Sequence, residues 1–80
     1  MGHLRFDLRK ALEDFEARTG IRLTYEALAQ RTELSVDTLK SIATRDDYNV
    51  TTKNLSSICD ALKCNPIDFL VWHDPSGEIP

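Results

Sequence analysis

Cys59 and Cys64 lie five positions apart, a spacing at which two thiols could share a metal or a redox couple. No second Cys/His pair completes a zinc set, so a structural metal is not expected. Both cysteines are expected to pack as small hydrophobes, with a redox pair as the alternative. His3 follows Met1 and Gly2, and a free amino terminus there could chelate copper or nickel. Removal of methionine ahead of glycine would destroy that arrangement. His73 stands beside Asp74 near the end of the chain and is expected to be solvated. No nucleophile–base pair, paired carboxylate set or glycine-rich phosphate loop appears. An enzyme is therefore not expected, and no cofactor is implied.

The charges are unevenly placed. The chain holds 10 basic and 13 acidic residues, a net charge of −3. Residues 21–45 carry Arg22, Arg31, Lys40 and Arg45 against Glu26, Glu33 and Asp37. Residues 46–80 carry only Lys53 and Lys63 against six acids. An acidic second half argues against loose polyanion binding over the whole surface, but leaves room for a local basic face.

Eighty residues fit one domain with a small core. Leu, Ile, Val and Phe supply 21 residues, enough to build that core. No apolar run approaches the length of a membrane span, and no signal-peptide pattern opens the chain. Two cysteines in so small a chain point to a reducing compartment. The expected location is the cytosol.

Helical periodicity recurs along the chain. Leu4, Leu8, Ala11, Leu12 and Phe15 lie at three- and four-residue spacing, and Gly20 can end that helix in a left-handed conformation. Thr24 can cap a short second helix carrying Ala27, Leu28 and Arg31. Ser35 can cap a third, with Val36, Leu39, Ile42 and Ala43 in helical period. Thr51 or Thr52 can cap a fourth, with the stripe Leu55, Ile58, Cys59 and Leu62. Asn65-Pro66 suits the start of a fifth, because proline needs no amide partner at the first helical position. Asp68 complements the dipole of that turn. These signals predict helices near 4–19, 24–32, 35–44, 52–62 and 66–72, with no strand alternation. A β-sheet, or exposure of Leu28 and Leu39, would contradict this architecture. Residues 1–72 are expected to form the domain and 73–80 a flexible tail.

Two short helices across a tight turn make a helix-turn-helix. The segment from Thr24 to Ile42 resembles the signature of the Cro/CI-type (Xre) phage-repressor-like family. The matching points are Thr24, Leu28, Ala29, Leu34, Ser35, Thr38, Leu39 and Ile42. Asn54-Leu55, Ile58 through Leu62 and Pro66 through Leu70 resemble the family's last two helices. The resemblance implies an all-α, five-helix DNA-binding domain, acting as a transcriptional repressor in a bacterial or phage setting. Its partner would be double-stranded DNA, read in the major groove by the helix at about 35–44.

The implied contacts fall on individual residues. Family members often place a phosphate-binding glutamine just after the position of Thr24. Here Tyr25 stands there, with a hydroxyl that could act in its place. Gln30, Arg31 and Ser35 flank the turn. The outward positions of the reading helix are Val36, Asp37, Lys40 and Ser41, with Thr44 and Arg45 at its end. Lys40 and Arg45 suit phosphate or guanine, Ser41 several bases, Val36 a thymine methyl, and Asp37 cytosine. The alternative reading of these side chains is an ordinary solvated helix face.

Two departures matter. The turn carries Glu33 where the family usually has glycine, and a positive φ there would cost about 1 kcal/mol or more. The reading surface also has fewer glutamines and arginines than family members often show, which predicts weaker or more partner-dependent DNA binding. The competing function is an acidic protein-interaction module, antitoxin-like or a phage-regulatory adaptor. Tyr48 and Trp72 are expected in the core, with a dimer interface as the alternative. A homodimer through the C-terminal helix, using Ile67, Val71 and Trp72, would let the protein bind two half-sites.

Overall fold

The computed structural model describes residues 3–45 and 50–73. Its elements are β1 (His3–Phe6), α1 (Leu8–Thr19), α2 (Tyr25–Thr32), α3 (Val36–Thr44), α4 (Thr52–Leu62), a 3-10 turn (Pro66–Phe69) and β2 (Leu70–His73). Among the described residues the architecture is mostly helical, with four α-helices and a two-stranded sheet. It thus corrects the expected all-α, five-helix form in two places, at the two ends of the described chain.

The first correction is the start of α1. Asp7 caps this helix, its carboxylate accepting from the Lys10 amide at 3.1 Å. Residues His3–Phe6 form a strand instead of a first helical turn. Leu4 and Leu8 are four apart, so they fit a helical stripe, but Leu4 lies in β1 and is exposed. Phe6 is the residue that anchors the strand, only 1% exposed in the core.

The second correction is the fifth helix. Its start is as expected: Asn65 caps the turn, its side chain accepting from the Ile67 amide at 3.1 Å, and Pro66 opens it. The turn stops at Phe69, whose buried ring meets Phe6 edge-on at 6.2 Å. The Asp7 amide donates to the Phe69 carbonyl at 2.8 Å. From there Leu70–His73 pairs antiparallel with β1, in the register His3↔His73, Leu4↔Trp72, Arg5↔Val71 and Phe6↔Leu70. A strand from the opposite end of the described chain supplies backbone partners that further helical turns would otherwise supply. Val71 and Trp72 are also strong strand formers. Trp72 is 56% exposed, which overturns its expected place in the core. Ile67 and Val71 are exposed as well, on the 3-10 turn and on β2, so among the described residues these side chains do not lie on a C-terminal helix. Tyr48 and the segment 74–80 lie outside the described residues, as do Met1 and Gly2 of the suggested amino-terminal chelate.

The three middle helices have nearly the expected bounds. Each carries its expected N-cap: Thr24, Ser35 and Thr51 accept from the amides of Ala27, Thr38 and Asn54. One cluster of buried side chains joins β1, the four helices and the 3-10 turn, with Leu70 of β2 partly buried against it. Phe6, Leu8, Leu28, Leu39, Ile58 and Leu62 are its largest fully buried members. Phe15, Ile42 and Phe69 belong to it, while Leu12 and Leu55 pack partly buried at its margin. Leu28 and Leu39 are thus buried, as the helix-turn-helix requires.

The cysteines have a structural explanation. Lys63 takes a left-handed conformation after α4, and the Cys64 amide closes back on the Cys59 carbonyl at 3.1 Å. A helix ending this way brings together the residues that flank the cap, usually as an apolar contact. Here both are cysteines, Cys59 buried and Cys64 half-buried against the core. Burial, with a hydrogen bond to Cys64, pushes the Cys59 thiol up to about 12. Burial raises the Cys64 thiol as well. Neither is poised as a nucleophile at neutral pH.

Candidate nucleic-acid interface

The interface is built from α2, the turn after it, and α3. Leu28 of α2 and Leu39 of α3 are fully buried, and Ala29 and Leu34 pack partly buried against the same core. Glu33 makes the turn with φ 62° and ψ 17°. Its amide donates to the Ala29 carbonyl at 2.9 Å. The left-handed position expected of a glycine is therefore filled by a residue with a Cβ, and its strain is held in place by the helices on either side. Thr32 supports the turn from inside: its buried hydroxyl donates to the Leu28 carbonyl at 2.8 Å and accepts from the Leu34 amide at 3.3 Å.

Past the turn, α3 separates its faces cleanly. Leu39, Ile42 and Ala43 are buried. At about 100° per residue, Val36, Lys40, Thr44, Asp37 and Ser41 fall on one contiguous arc away from them. Asp37, Lys40 and Thr44 are exposed on that arc, with Val36 and Ser41 half-buried at its margins. Arg45 is exposed at the exit of the helix. On α2, Gln30 and Arg31 are exposed, whereas Tyr25 is half-buried with its ring against the core. Tyr25 also borders an open groove of about 490 Å³, shared with Arg9 and Arg22 and with Glu13, Glu16 and Glu26. Acids outnumber bases in that lining, so it does not favour an anion.

Hydrogen bonding sorts the expected contact residues further. The Ser35 hydroxyl accepts from the Thr38 amide at 3.0 Å and donates to the Thr38 hydroxyl at 2.8 Å. The two hydroxyls share one hydrogen bond, so the pair keeps one proton to give a phosphate oxygen. Thr38 thus joins Ser35 at the start of α3. Thr44 donates to the Lys40 carbonyl at 2.7 Å, so its hydroxyl can only accept, as from a base amino group. Asp37 sits in the first turn of α3, where its charge also complements the helix dipole.

One residue at this site had no signal in the local sequence. Arg5, in β1, donates from Nη2 to the Ala43 carbonyl at 3.1 Å, across 38 residues. It meets α3 at its C-terminal end, where the last turn has no basic residue of its own. A lone arginine ahead of a helix could not have been assigned this place from spacing.

A family model described as a Cro/C1-type HTH DNA-binding domain matches residues 12–75, a span that includes all of α2, α3 and α4. No curated protein and no solved structure matches the chain. With the match covering most of the sequence, and the buried crossing of α2 and α3 lying inside it, the chain belongs to the Cro/C1-type helix-turn-helix DNA-binding domain family.

Proposed function

We propose that this protein is a sequence-specific transcriptional repressor that reads the major groove of duplex DNA with α3. The observation that carries the reading is the division of α3. Leu39, Ile42 and Ala43 hold it to the core, and Asp37, Lys40 and Thr44 stand in solvent on the other side. A helix held on one face and exposed on the other fits a groove about 12 Å wide. Lys40 and Arg45 meet phosphate or guanine, Ser41 meets a base edge, and Val36 meets a thymine methyl. Arg31, Gln30 and the Tyr25 hydroxyl take the flanking backbone. Asp37 opposes phosphate and restricts which bases are accepted. The protein acts as a homodimer on paired half-sites, since one reading head this small makes few base contacts.

Selection of bound duplexes from a random library tests the reading with the purified chain. An enriched motif is the expected result, and a two-fold repeat within it supports the dimer. Absence of duplex binding even at low salt would replace this reading with the protein-interaction module, whose acidic surface would then face a partner protein.

A further inference from the structure

We infer that Arg5 is a positioning residue for DNA reading, tying the terminal sheet to the exit of α3; the inference rests on α3 being the reading helix. Three observations carry it. The Arg5 guanidinium donates to the Ala43 carbonyl at 3.1 Å in a half-buried setting. That carbonyl belongs to the last turn of α3, where backbone acceptors lack helical partners and the dipole is negative. No basic side chain lies in that turn to serve them. Lys40 and Arg45 both project from the stretch so held.

The strand geometry explains why Arg5 can do this. Successive side chains on a strand point to opposite faces. Phe6 is locked in the core and Arg5 is paired in register with Val71, so the root of the arginine is fixed. Arg5 also lies ahead of residues 12–75, the part of the chain that matches the family. The tie is therefore made from a strand outside the matched span. It makes the pitch of the reading helix depend on the sheet, through a charge-assisted hydrogen bond that only a long cation at position 5 can make.

The test compares the parent with Arg5→Gln and Arg5→Lys in two measurements. The first is amide hydrogen exchange. Arg5→Gln should speed exchange at Thr44 and Arg45 about ten-fold, while amides of α1 and α4 keep the parent rates. The second is binding to a selected duplex and to random duplex over a salt series. Specific affinity should fall about ten-fold, with random binding and the salt slope unchanged. Arg5→Lys should recover most of both effects.

Parent-like exchange at Thr44 and Arg45 would overturn the tie whatever the DNA result. Faster exchange throughout the molecule would show a merely structural role and overturn it too. A salt slope lower by about one would make Arg5 a phosphate contact instead. If the parent itself binds no duplex, the DNA reading fails and the positioning role falls with it, while the exchange result still reports separately on the tie.

Discussion

The α2–α3 unit and the terminal sheet satisfy their backbone groups over very different chain distances. In the α2–α3 unit each cap reaches only three residues: Thr24 to the Ala27 amide, Ser35 to the Thr38 amide. The turn closes within five residues, from the Glu33 amide to the Ala29 carbonyl. In the sheet, His3 pairs with His73. Closing so long a loop costs more chain entropy, and two strands alone are barely stable in water. The sheet therefore depends on what anchors it, which is Phe6 against Phe69 in the core. The α2–α3 unit is organised locally and can be disturbed locally. The sheet is organised by the whole fold and cannot be loosened without loosening the core.

The largest expected effect tests that dependence. Phe6→Ala should cost about 3–5 kcal/mol in urea unfolding, comparable to or larger than the 2–5 kcal/mol expected for Leu28→Ala in the α2–α3 unit. A loss below about 1 kcal/mol would mean that the sheet is a loose addition and that the helices stand without it.

Alkaline pH probes the junction between α4 and the 3-10 turn. The Cys59 thiol is held protonated up to about 12 in the folded state, against an ordinary value of 9.0. Between these values the unfolded chain gives up a proton that the native state keeps. The stability from this thiol is thus intact below pH 9 and is lost as pH rises toward 12, by at most about 1.4 kcal/mol per pH unit. Cys59→Ala should flatten that part of the pH–stability curve. An unchanged slope in the variant would remove Cys59 as its source.

If α3 is the reading helix proposed above, Lys40→Ala and Arg45→Ala should each reduce the salt slope of duplex binding by about one, and weaken binding to all sequences alike. Parent-like binding of both variants would exclude α3 as the reading head. Ser35→Ala should cost about 1 kcal/mol through loss of the cap at the Thr38 amide. Thermal unfolding would report it, and a neutral result would mean that packing alone fixes the start of α3. The smallest effect is a gain. Glu33→Gly should stabilise the protein by about 0.5–1 kcal/mol, because glycine takes the left-handed turn without Cβ strain but is freer when unfolded. A loss of stability would show that the Glu33 side chain makes up for its backbone.

Much of the helical frame was legible because its signals are short-range. Thr24, Ser35, Thr51 and Asn65 announce their own caps, and the stripes of α3 and α4 repeat within a few turns. Of the candidate site, the sequence marked the exposed arc Asp37, Lys40 and Thr44. It could not mark the Ser35–Thr38 hydroxyl pair, since a cap residue and a contact residue are the same letter until the side chains are placed.

The sequence by itself determined the helix-turn-helix: periodicity of 3.6, capping residues and a tight turn are properties of consecutive residues, and the crossing of α2 and α3 follows from them. Only the tertiary structure decided the fate of both ends. Leu4 fits a helix by spacing and Leu70–Trp72 fits either state, and what turned them into strands is their meeting across the whole fold. The same meeting put Arg5 at the exit of α3 and left Trp72 in solvent. Pairing between distant segments is set by which arrangement buries Phe6 and Phe69 together, a choice that no window of neighbouring residues contains.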